Sequence, residues 1–250
     1  MPETKDPFYV GYLPLPAALR PSVKLFAGLG ILLAAGLAFA LAPRQQDPGP
    51  GVWDLDTPVA IEGHLAVDPY PVIYVADPAY PDALRAVLLV SEFKFSATER
   101  AQTLAGQRVR ATGTFVNRQG RGLFELASGD DALSSLGASS TLPSTQDLGS
   151  HTLQGEIVDS KCYLGVMKPG FGKTHRACAV RCLSGGIPPG FLIRGPDGEP
   201  TFSLLVGSGG KAIQQDILDF VAEPVELPGH LERRGDLLVY TVDPATIRRL

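Results

Sequence analysis

The sequence predicts a mainly β protein, in which an N-terminal transmembrane helix is followed by two tandem OB-like small β-barrels. The second barrel is predicted to carry a helical insertion that contains cysteine and histidine. Three observations lead to this prediction: a long apolar run near the N-terminus, two halves that repeat one spacing of apolar strands, and three cysteines confined to one short segment. A length of 250 residues suits an anchor and two modest domains better than one small domain.

The apolar run covers residues 23–42, where Lys24 is the only charged residue. A run of this length can cross a bilayer as a helix, so we predict a transmembrane anchor that contacts the lipid bilayer. A cleaved signal peptide is the main alternative, because Ala38-Phe39-Ala40 fits a small-x-small cleavage site. A buried helix of a soluble protein is a third interpretation. Either of the first two exports residues 44–250.

Basic residues are concentrated on the N-terminal side of this run. Lys5, Arg20 and Lys24 precede or begin it, and only Arg44 follows closely. The positive-inside rule therefore places residues 1–22 in the cytoplasm as a short tail. We predict a single-pass protein of the inner (cell) membrane whose C-terminal domains are periplasmic or otherwise extracytoplasmic.

Two polar segments divide the exported part of the chain. Residues 43–51 combine proline and glycine with polar side chains, which favours a linker. Residues 134–150 are rich in serine, threonine, glycine and leucine and are predicted to be a second linker. The first OB-like domain then covers residues 52–133 and the second covers residues 151–250.

Short apolar strands recur in both domains with the same spacing. Leu88 precedes Gly113 by 25 residues, and Leu204 precedes Gly229 by the same 25 residues. A short helix is predicted before the last hairpin of each copy, an arrangement typical of OB-like barrels. The predicted helices are Ala97–Leu104 and Lys211–Val221, and the predicted strands are Val59–Val67, Ala86–Val90, Arg108–Asn117, Gly122–Leu126, Thr152–Val158, Phe191–Ile193, Thr201–Val206, Pro224–Arg233 and Leu237–Val242.

The two copies differ in length at one place. The interval from Gly63 to Leu88 in the first copy corresponds to the interval from Gly155 to Leu204 in the second, which is almost twice as long. All three cysteines fall inside this longer interval. We therefore predict a cysteine- and histidine-containing insertion over residues 160–189.

The insertion contains a possible set of four metal ligands. A helix that begins at His175, with Thr174 as its N-cap, places His175, Cys178 and Cys182 on one face at i, i+3 and i+7. Cys162 arrives from the end of the preceding strand. Thiolate and imidazole are the ligands of structural zinc sites, so a Cys3His site is geometrically available.

Three interpretations of these cysteines stay open. Cys162 could pair with Cys178 or Cys182 in a structural disulfide, which an exported location favours and which leaves one spare thiol. The residues could instead hold a cofactor, namely a transition metal, an iron–sulfur cluster or a haem. A redox-active thiol is the third interpretation.

Basic residues flank the cysteines. Lys161, Lys173, Arg176 and Arg181 lie in a stretch, residues 160–196, that contains no acidic residue. Such a face could bind an anion such as a phosphate, a propionate or a lipid headgroup near the start of the helix. The alternative is a solvated loop whose positive charge offsets acids elsewhere in the fold.

The segment Gly155-Glu156-Ile157-Val158-Asp159, Cys162-Tyr163-Leu164, Gly172-Lys173, His175, Cys178-Ala179, Cys182, Gly185-Gly186 and Pro188 resembles a family of small exported bacterial OB-like proteins. Their motif is Cys-Tyr-Leu, then His-x-x-Cys-Ala-x-x-Cys, then Gly-Gly-x-Pro. The resemblance covers roughly residues 151–245. It implies an OB-like fold and a redox or metal-linked role for Cys162, His175, Cys178 and Cys182.

Composition and motifs argue against two classes of function. A net charge of −4 gives no global attraction to phosphate backbones, so we predict no nucleic-acid partner, although OB-like barrels often bind single strands. No Ser-His-Asp or paired-carboxylate constellation can be assigned, which favours an accessory or binding role over an enzyme. We expect a membrane-anchored extracytoplasmic accessory protein whose metal or redox site serves a membrane-bound redox partner. The alternative is a structural adaptor with one disulfide and no cofactor.

Overall fold

The computed structural model describes residues 14–44, 51–77, 80–138, 142–195 and 200–250. The chain forms two compact units, Met1–Asp47 and Pro48–Leu250. Most of the predicted cytoplasmic tail, residues 1–13, and most of the first predicted linker, residues 45–50, lie outside the described residues.

The first unit contains helix α1 (Arg20–Leu41), which continues into a single 3₁₀ turn. Pro21 lies in its first turn, where the missing N–H has no intrahelical partner to lose. Among the described residues, this helix with its 3₁₀ turn is the one segment long and apolar enough to span a membrane. It begins three residues before the predicted run 23–42, whose helical conformation is confirmed.

The first barrel is closed by five strands in the order β2-β3-β4-β6-β5, with β5 pairing back to β2. The β4–β6 pair is parallel and the other four pairs are antiparallel. Helix α2 (Thr98–Gln102) precedes the last hairpin. The strands of this half are β1 (Val52–Trp53), β2 (Val59–Ala66), β3 (Val72–Asp77), β4 (Tyr80–Val90), β5 (Gln107–Arg118), β6 (Arg121–Leu126) and β7 (Leu133–Ala138).

The second barrel repeats this order as β8-β9-β10-β12-β11, and its β10–β12 pair is the parallel one. A 3₁₀ helix, Gln214–Phe220, takes the place of α2. The strands are β8 (Thr145–Asp159), β9 (Pro189–Arg194), β10 (Pro200–Gly207), β11 (Pro224–Arg234), β12 (Leu237–Val242) and β13 (Arg248–Arg249). Two closed five-stranded barrels with one strand order confirm the predicted fold class.

The glycines that mark the repeat lie at equivalent crowded positions. Gly113 pairs with β2 on one side and β6 on the other, and Gly229 pairs with β8 and β12 in the same way. A Cβ atom at Gly113 would collide with the carbonyl oxygen of Glu125, and one at Gly229 with that of Thr241. The repeated glycine therefore allows one strand to pair closely with a strand on each side where the barrel closes.

The structure corrects two sequence predictions. Strand β3 was missed, because its buried apolar run is too short for periodicity to identify. The segment 134–150 was predicted to be a linker, but β7 pairs with β5 there, and β8 already begins at Thr145 and pairs with β11. Its small polar side chains are typical of a loop, whereas hydrogen bonds to neighbouring strands make residues 134–138 and 145–150 part of the sheets.

The described residues of the second unit form three apolar cores. Two fill the barrel interiors, and the third lies between the barrels and contains residues of both. In β4, Leu89 faces the barrel interior while Leu88 and Val90 face the other barrel; in β10, Leu205 faces inward and Leu204 faces the shared core. Burial on both faces explains why these strands are continuously apolar. The barrels therefore pack as one body.

Candidate metal centre

The connection between the first two strands positions the site in the second barrel. The first barrel makes this connection with residues 67–71 alone, whereas the second makes it with residues 160–188. The longer connection contains a wide helical turn (Cys162–Val166), a 3₁₀ turn (Lys173–His175) and helix α3 (Arg176–Ser184). The predicted insertion, residues 160–189, agrees with this segment.

Helix α3 differs from its prediction at the N-terminus. It begins at Arg176, and the 3₁₀ turn precedes it, so Thr174 is not its N-cap. The turn starts after Gly172, whose φ of 78° favours glycine and whose N–H donates to the Glu156 side chain. At the C-terminal end of α3, Gly186 adopts a φ of 90° and lets the chain leave the helix. The N–H of the next residue, Ile187, donates to the Cys182 carbonyl at 3.1 Å.

The three cysteine thiols converge at one point. Cys162 Sγ lies 3.9 Å from Cys178 Sγ and 3.8 Å from Cys182 Sγ, and all three sulfurs lie within 4.8 Å of one another. Cys162 and Cys182 are buried, whereas Cys178 is partly exposed. The group could hold a metal ion through three thiolates.

The structure does not contain the predicted structural disulfide. All three cysteines are free, and their sulfurs are separated by far more than the bond length of about 2.05 Å. The staple that Cys162 was expected to form with Cys178 or Cys182 is therefore absent.

Lys94 completes the cluster and was missed by the sequence analysis. It belongs to the first barrel, and its Nζ donates to Cys178 Sγ at 3.0 Å and to Cys182 Sγ at 3.3 Å. The hydrogen bond to Cys178, followed by that to Cys182, raises the pKa of the Lys94 ammonium. No local pattern could identify this residue, because 84 and 88 residues separate it from its partners. The first barrel therefore contributes a side chain to the thiol cluster of the second.

The hydrogen bonds shift the pKa values of Cys162 and Cys182 in opposite directions. The hydrogen bond to Cys182, burial and the nearby Asp159 carboxylate raise the pKa of Cys162. The same hydrogen bond from Cys162, supported by Lys94, lowers the pKa of Cys182. Of Cys162 and Cys182, Cys182 is thus the thiol that ionises first, with a charged and a neutral donor stabilising its thiolate.

His175 lies beside the thiol cluster and pairs with Asp159. Its Nε2 is 3.0 Å from Asp159 Oδ2, and both side chains are buried. The other Asp159 oxygen accepts the backbone N–H of Cys162 at 2.8 Å. Asp159, Cys162 and His175 form a second group of possible ligands, so the predicted four-ligand set is divided at Cys162. Asp159 belongs to the sequence motif, but the motif does not indicate that this carboxylate is buried.

The predicted anion-binding residues engage mainly acidic side chains. Lys161 is 2% exposed and pairs with Glu125 of the first barrel, while its Nζ also donates to the carbonyl groups of Ser91 and Phe93. Lys173 and Arg176 both pair with Glu223, at 3.7 and 2.7 Å. Arg181 is exposed and lines a cleft beside the site. These ion pairs agree with the alternative in which the basic segment offsets acids elsewhere.

No protein-family model matches this chain, and neither a curated protein nor a solved structure matches it.

Proposed function

We propose that this is a membrane-anchored, extracytoplasmic protein that binds one soft metal ion through Cys162, Cys178 and Cys182. In this proposal the protein is an accessory of a membrane-bound redox complex and not itself an enzyme. The resemblance of residues 151–245 to small exported OB-like proteins supports a metal-linked or redox role. Helix α1, which is apolar enough to span a membrane, supports the anchor, and the excess of basic residues before it supports a cytoplasmic N-terminus.

The separation of the sulfur atoms carries the proposal. If metal–sulfur bonds are about 2.3 Å, two sulfurs in a tetrahedral site lie about 3.8 Å apart, and in a trigonal site about 4.0 Å apart. Cys162 Sγ lies 3.9 and 3.8 Å from the other two sulfurs, and both separations fall in this interval. An ion could enter between these thiols without moving their backbone.

The same separations favour a single ion over the larger cofactors. In a [4Fe–4S] cluster each cysteine binds a different iron and points away from its neighbours, so the thiolates lie farther apart than the irons. A [2Fe–2S] cluster takes four protein ligands, two on each iron, whereas three thiols meet at one point here. A haem iron takes its protein ligands along one axis, and three sulfurs that meet at one point do not fit this arrangement. Thiolates select Zn²⁺ and Cu⁺ among the ions that a protein commonly meets.

Two side chains compete for the remaining coordination position. Lys94 Nζ contacts two of the thiols, and as an ammonium it would donate to thiolates instead of binding the metal. His175 is tied to Asp159, which is the usual orienting partner of a ligating histidine. We propose three thiolates as the binding set, Lys94 as a donor to them, and His175 with Asp159 as the pair that fixes the Cys162 backbone.

Metal titration of the reduced full-length chain in detergent tests this function. We expect one Zn²⁺ or one Cu⁺ per chain, with thiolate-to-copper absorption for Cu⁺, and loss of binding in Cys178→Ser and Cys182→Ser. Ser184→Ala, an exposed position on the same helix, is the matched control and should bind normally. Absence of stoichiometric binding in the folded, reduced chain would contradict the proposal.

A dithiol that exchanges with a partner disulfide is the second candidate function. The lowered pKa of Cys182 favours it, because the thiolate is the attacking species. Cys162 and Cys182 would lose two electrons and two protons to form one disulfide, and the partner disulfide would gain them as two thiols. Mass spectrometry of the chain after incubation with a glutathione redox buffer separates the candidates: a Cys162–Cys182 disulfide that forms even with metal present supports exchange.

The adaptor alternative makes a different prediction. A partner that co-purifies with the full chain through the anchor, even when all three cysteines are replaced by serine, would support a purely structural role.

A further inference from the structure

A loop of the first barrel, Ser91–Ser96, exposes two phenylalanine side chains beside the thiol cluster. Phe93 is 77% exposed and Phe95 is 60% exposed, while Lys94 between them turns inward to the thiols. Largely exposed aromatic rings are costly in water, and two of them on one short loop indicate a contact that the isolated chain does not make.

The second barrel holds this loop in place. The buried Lys161 ammonium donates to the carbonyl groups of Ser91 at 3.1 Å and Phe93 at 2.6 Å. The N–H of Ser96 donates to the carbonyl of Gly185 at 3.0 Å. Phe93 adopts a φ of 57°, a left-handed conformation that bulky residues rarely occupy and that persists only where the surroundings enforce it. The outward position of the rings is therefore built into the fold.

The two phenylalanines border a cleft of about 580 Å³ that also contains Trp53 and Arg181. Trp53 is fixed to the barrel, because β1 pairs with β5 and its Nε1 donates to Thr114 Oγ1 at 3.1 Å. We call Trp53, Phe93, Phe95 and Arg181 the aromatic patch. Of the other charged groups in the cleft, Lys161 pairs with Glu125, Lys94 contacts the thiols and Glu92 accepts from Ser128.

Aromatic rings with a basic side chain are the composition that favours the headgroup region of a bilayer. Chain length supports the same occupant. Trp53 follows Arg44, the end of the described helical segment, by nine residues, and an extended chain of nine residues reaches at most about 30 Å. The patch is therefore held within reach of any membrane that α1 spans.

We propose that the aromatic patch docks on the surface of the bilayer, with Trp53, Phe93 and Phe95 at headgroup depth and Arg181 at the lipid phosphates. This proposal rests on the membrane anchor of the proposed function but not on its metal. Lys94 lines the same cleft and contacts the thiols, so the site would open toward the membrane surface. A partner that exchanges metal or electrons there would be membrane-bound.

Trp53 is the only tryptophan of the chain and supplies the test. The full-length chain is reconstituted into vesicles of phosphatidylcholine and phosphatidylglycerol whose acyl chains carry bromine, which quenches tryptophan fluorescence at short range. We expect the chain to float with the vesicles and to lose most of its Trp53 emission relative to unbrominated vesicles. A chain that floats with the vesicles and keeps its emission would overturn the proposal.

Two variants separate docking from tethering. The double variant Phe93→Ser, Phe95→Ser should recover most of the emission, whereas Leu250→Ser, which removes an equally exposed apolar side chain outside the patch, should stay quenched. Quenching that persists in the double variant would mean that the tether alone brings Trp53 to the lipid, and would contradict the proposal. A chain that fails to float with the vesicles would overturn the anchor and this proposal together. Metal stoichiometry measured on the same preparation tests the metal site independently of either outcome.

Discussion

The two barrels have one strand order and differ most in a single connection. The first barrel passes from its first to its second strand through residues 67–71, and the second through residues 160–188, which contain all three cysteines. The barrel without the insertion still contributes Lys94 to the thiols. The comparison teaches that a repeated scaffold can keep its fold while one enlarged loop brings three thiols together. It also shows that the shorter copy takes part in the site.

The largest expected effect concerns Lys161 of the insertion, which forms an ion pair with Glu125 of the first barrel. We expect Lys161→Met to lower the free energy of unfolding by about 3–5 kcal/mol, because the partly buried Glu125 carboxylate loses its countercharge. Denaturant unfolding of the full chain in detergent measures this change. The double variant Lys161→Met, Glu125→Leu should recover most of the loss. If the double variant is as unstable as the single one, the ion pair is not the cause.

The next effect tests whether the barrels form one cooperative body. Leu88 and Leu204 occupy related positions in β4 and β10, and both lie in the shared core. We expect Leu88→Ala and Leu204→Ala each to cost about 2–5 kcal/mol in the free energy of unfolding and to shift one common transition. Leu136→Ala, at an exposed position in β7, should change it by less than about 0.5 kcal/mol. Two transitions that respond to one variant each would mean that the barrels unfold independently.

A smaller effect isolates what the first barrel contributes to the thiols. Lys94 stabilises the Cys182 thiolate by a charge-assisted hydrogen bond. We expect Lys94→Met to raise the apparent pKa of thiol ionisation by about one to two units, because such bonds are worth about 1.5–3 kcal/mol. Thiolate ultraviolet absorbance against pH, on reduced metal-free protein, measures the shift. Lys168→Met, at an exposed position of the insertion, should titrate like the parent chain.

The smallest effect compares equivalent interior positions. Tyr240 pairs with Leu205 as Phe124 pairs with Leu89, so Tyr240→Phe gives the second barrel the residue of the first. The Tyr240 hydroxyl lies 2.6 Å from the Leu227 carbonyl oxygen, and we expect its loss to cost about 1 kcal/mol in the free energy of unfolding at neutral pH.

This position also has a defined pH dependence. Burial raises the pKa of Tyr240 to about 12, above the value of about 10 in an unfolded chain. Its contribution to stability is therefore complete below pH 10 and declines as the pH rises through 12. The unfolding free energies of the two proteins should converge as the pH rises above 10 and cross before it reaches 12. A difference that stays constant with pH would contradict the assignment.

Local patterns in the sequence were enough to predict α1, most of the strands and the insertion. The spacing from Leu88 to Gly113 and from Leu204 to Gly229 persists because each glycine lies where a side chain would collide with a neighbouring strand. The clustering of Cys162, Cys178 and Cys182 follows from a short helix beside the end of a strand, and such local geometry can also be inferred from spacing.

The rest depended on contacts between distant parts of the chain. Lys94 reaches the thiols only because the two barrels pack against each other, and no pattern within one barrel encodes that packing. Asp159, at the end of β8, pairs with the buried His175 of the 3₁₀ turn, so His175 is engaged by a carboxylate and not by the predicted four-ligand set. Residues 134–138 have the composition of a loop, yet they form a strand because they pair with β5.

The distance in sequence between Lys94 and its thiol partners also sets an order of events during synthesis. Cys182 follows Lys94 by 88 residues, which a ribosome adds in about 4–18 s at about 5–20 residues per second. During that time the first barrel can close, but Lys94 has nothing to contact. The Lys94 hydrogen bonds to the thiols would thus form only after both barrels have packed together, and they would distinguish finished molecules from chains still being made.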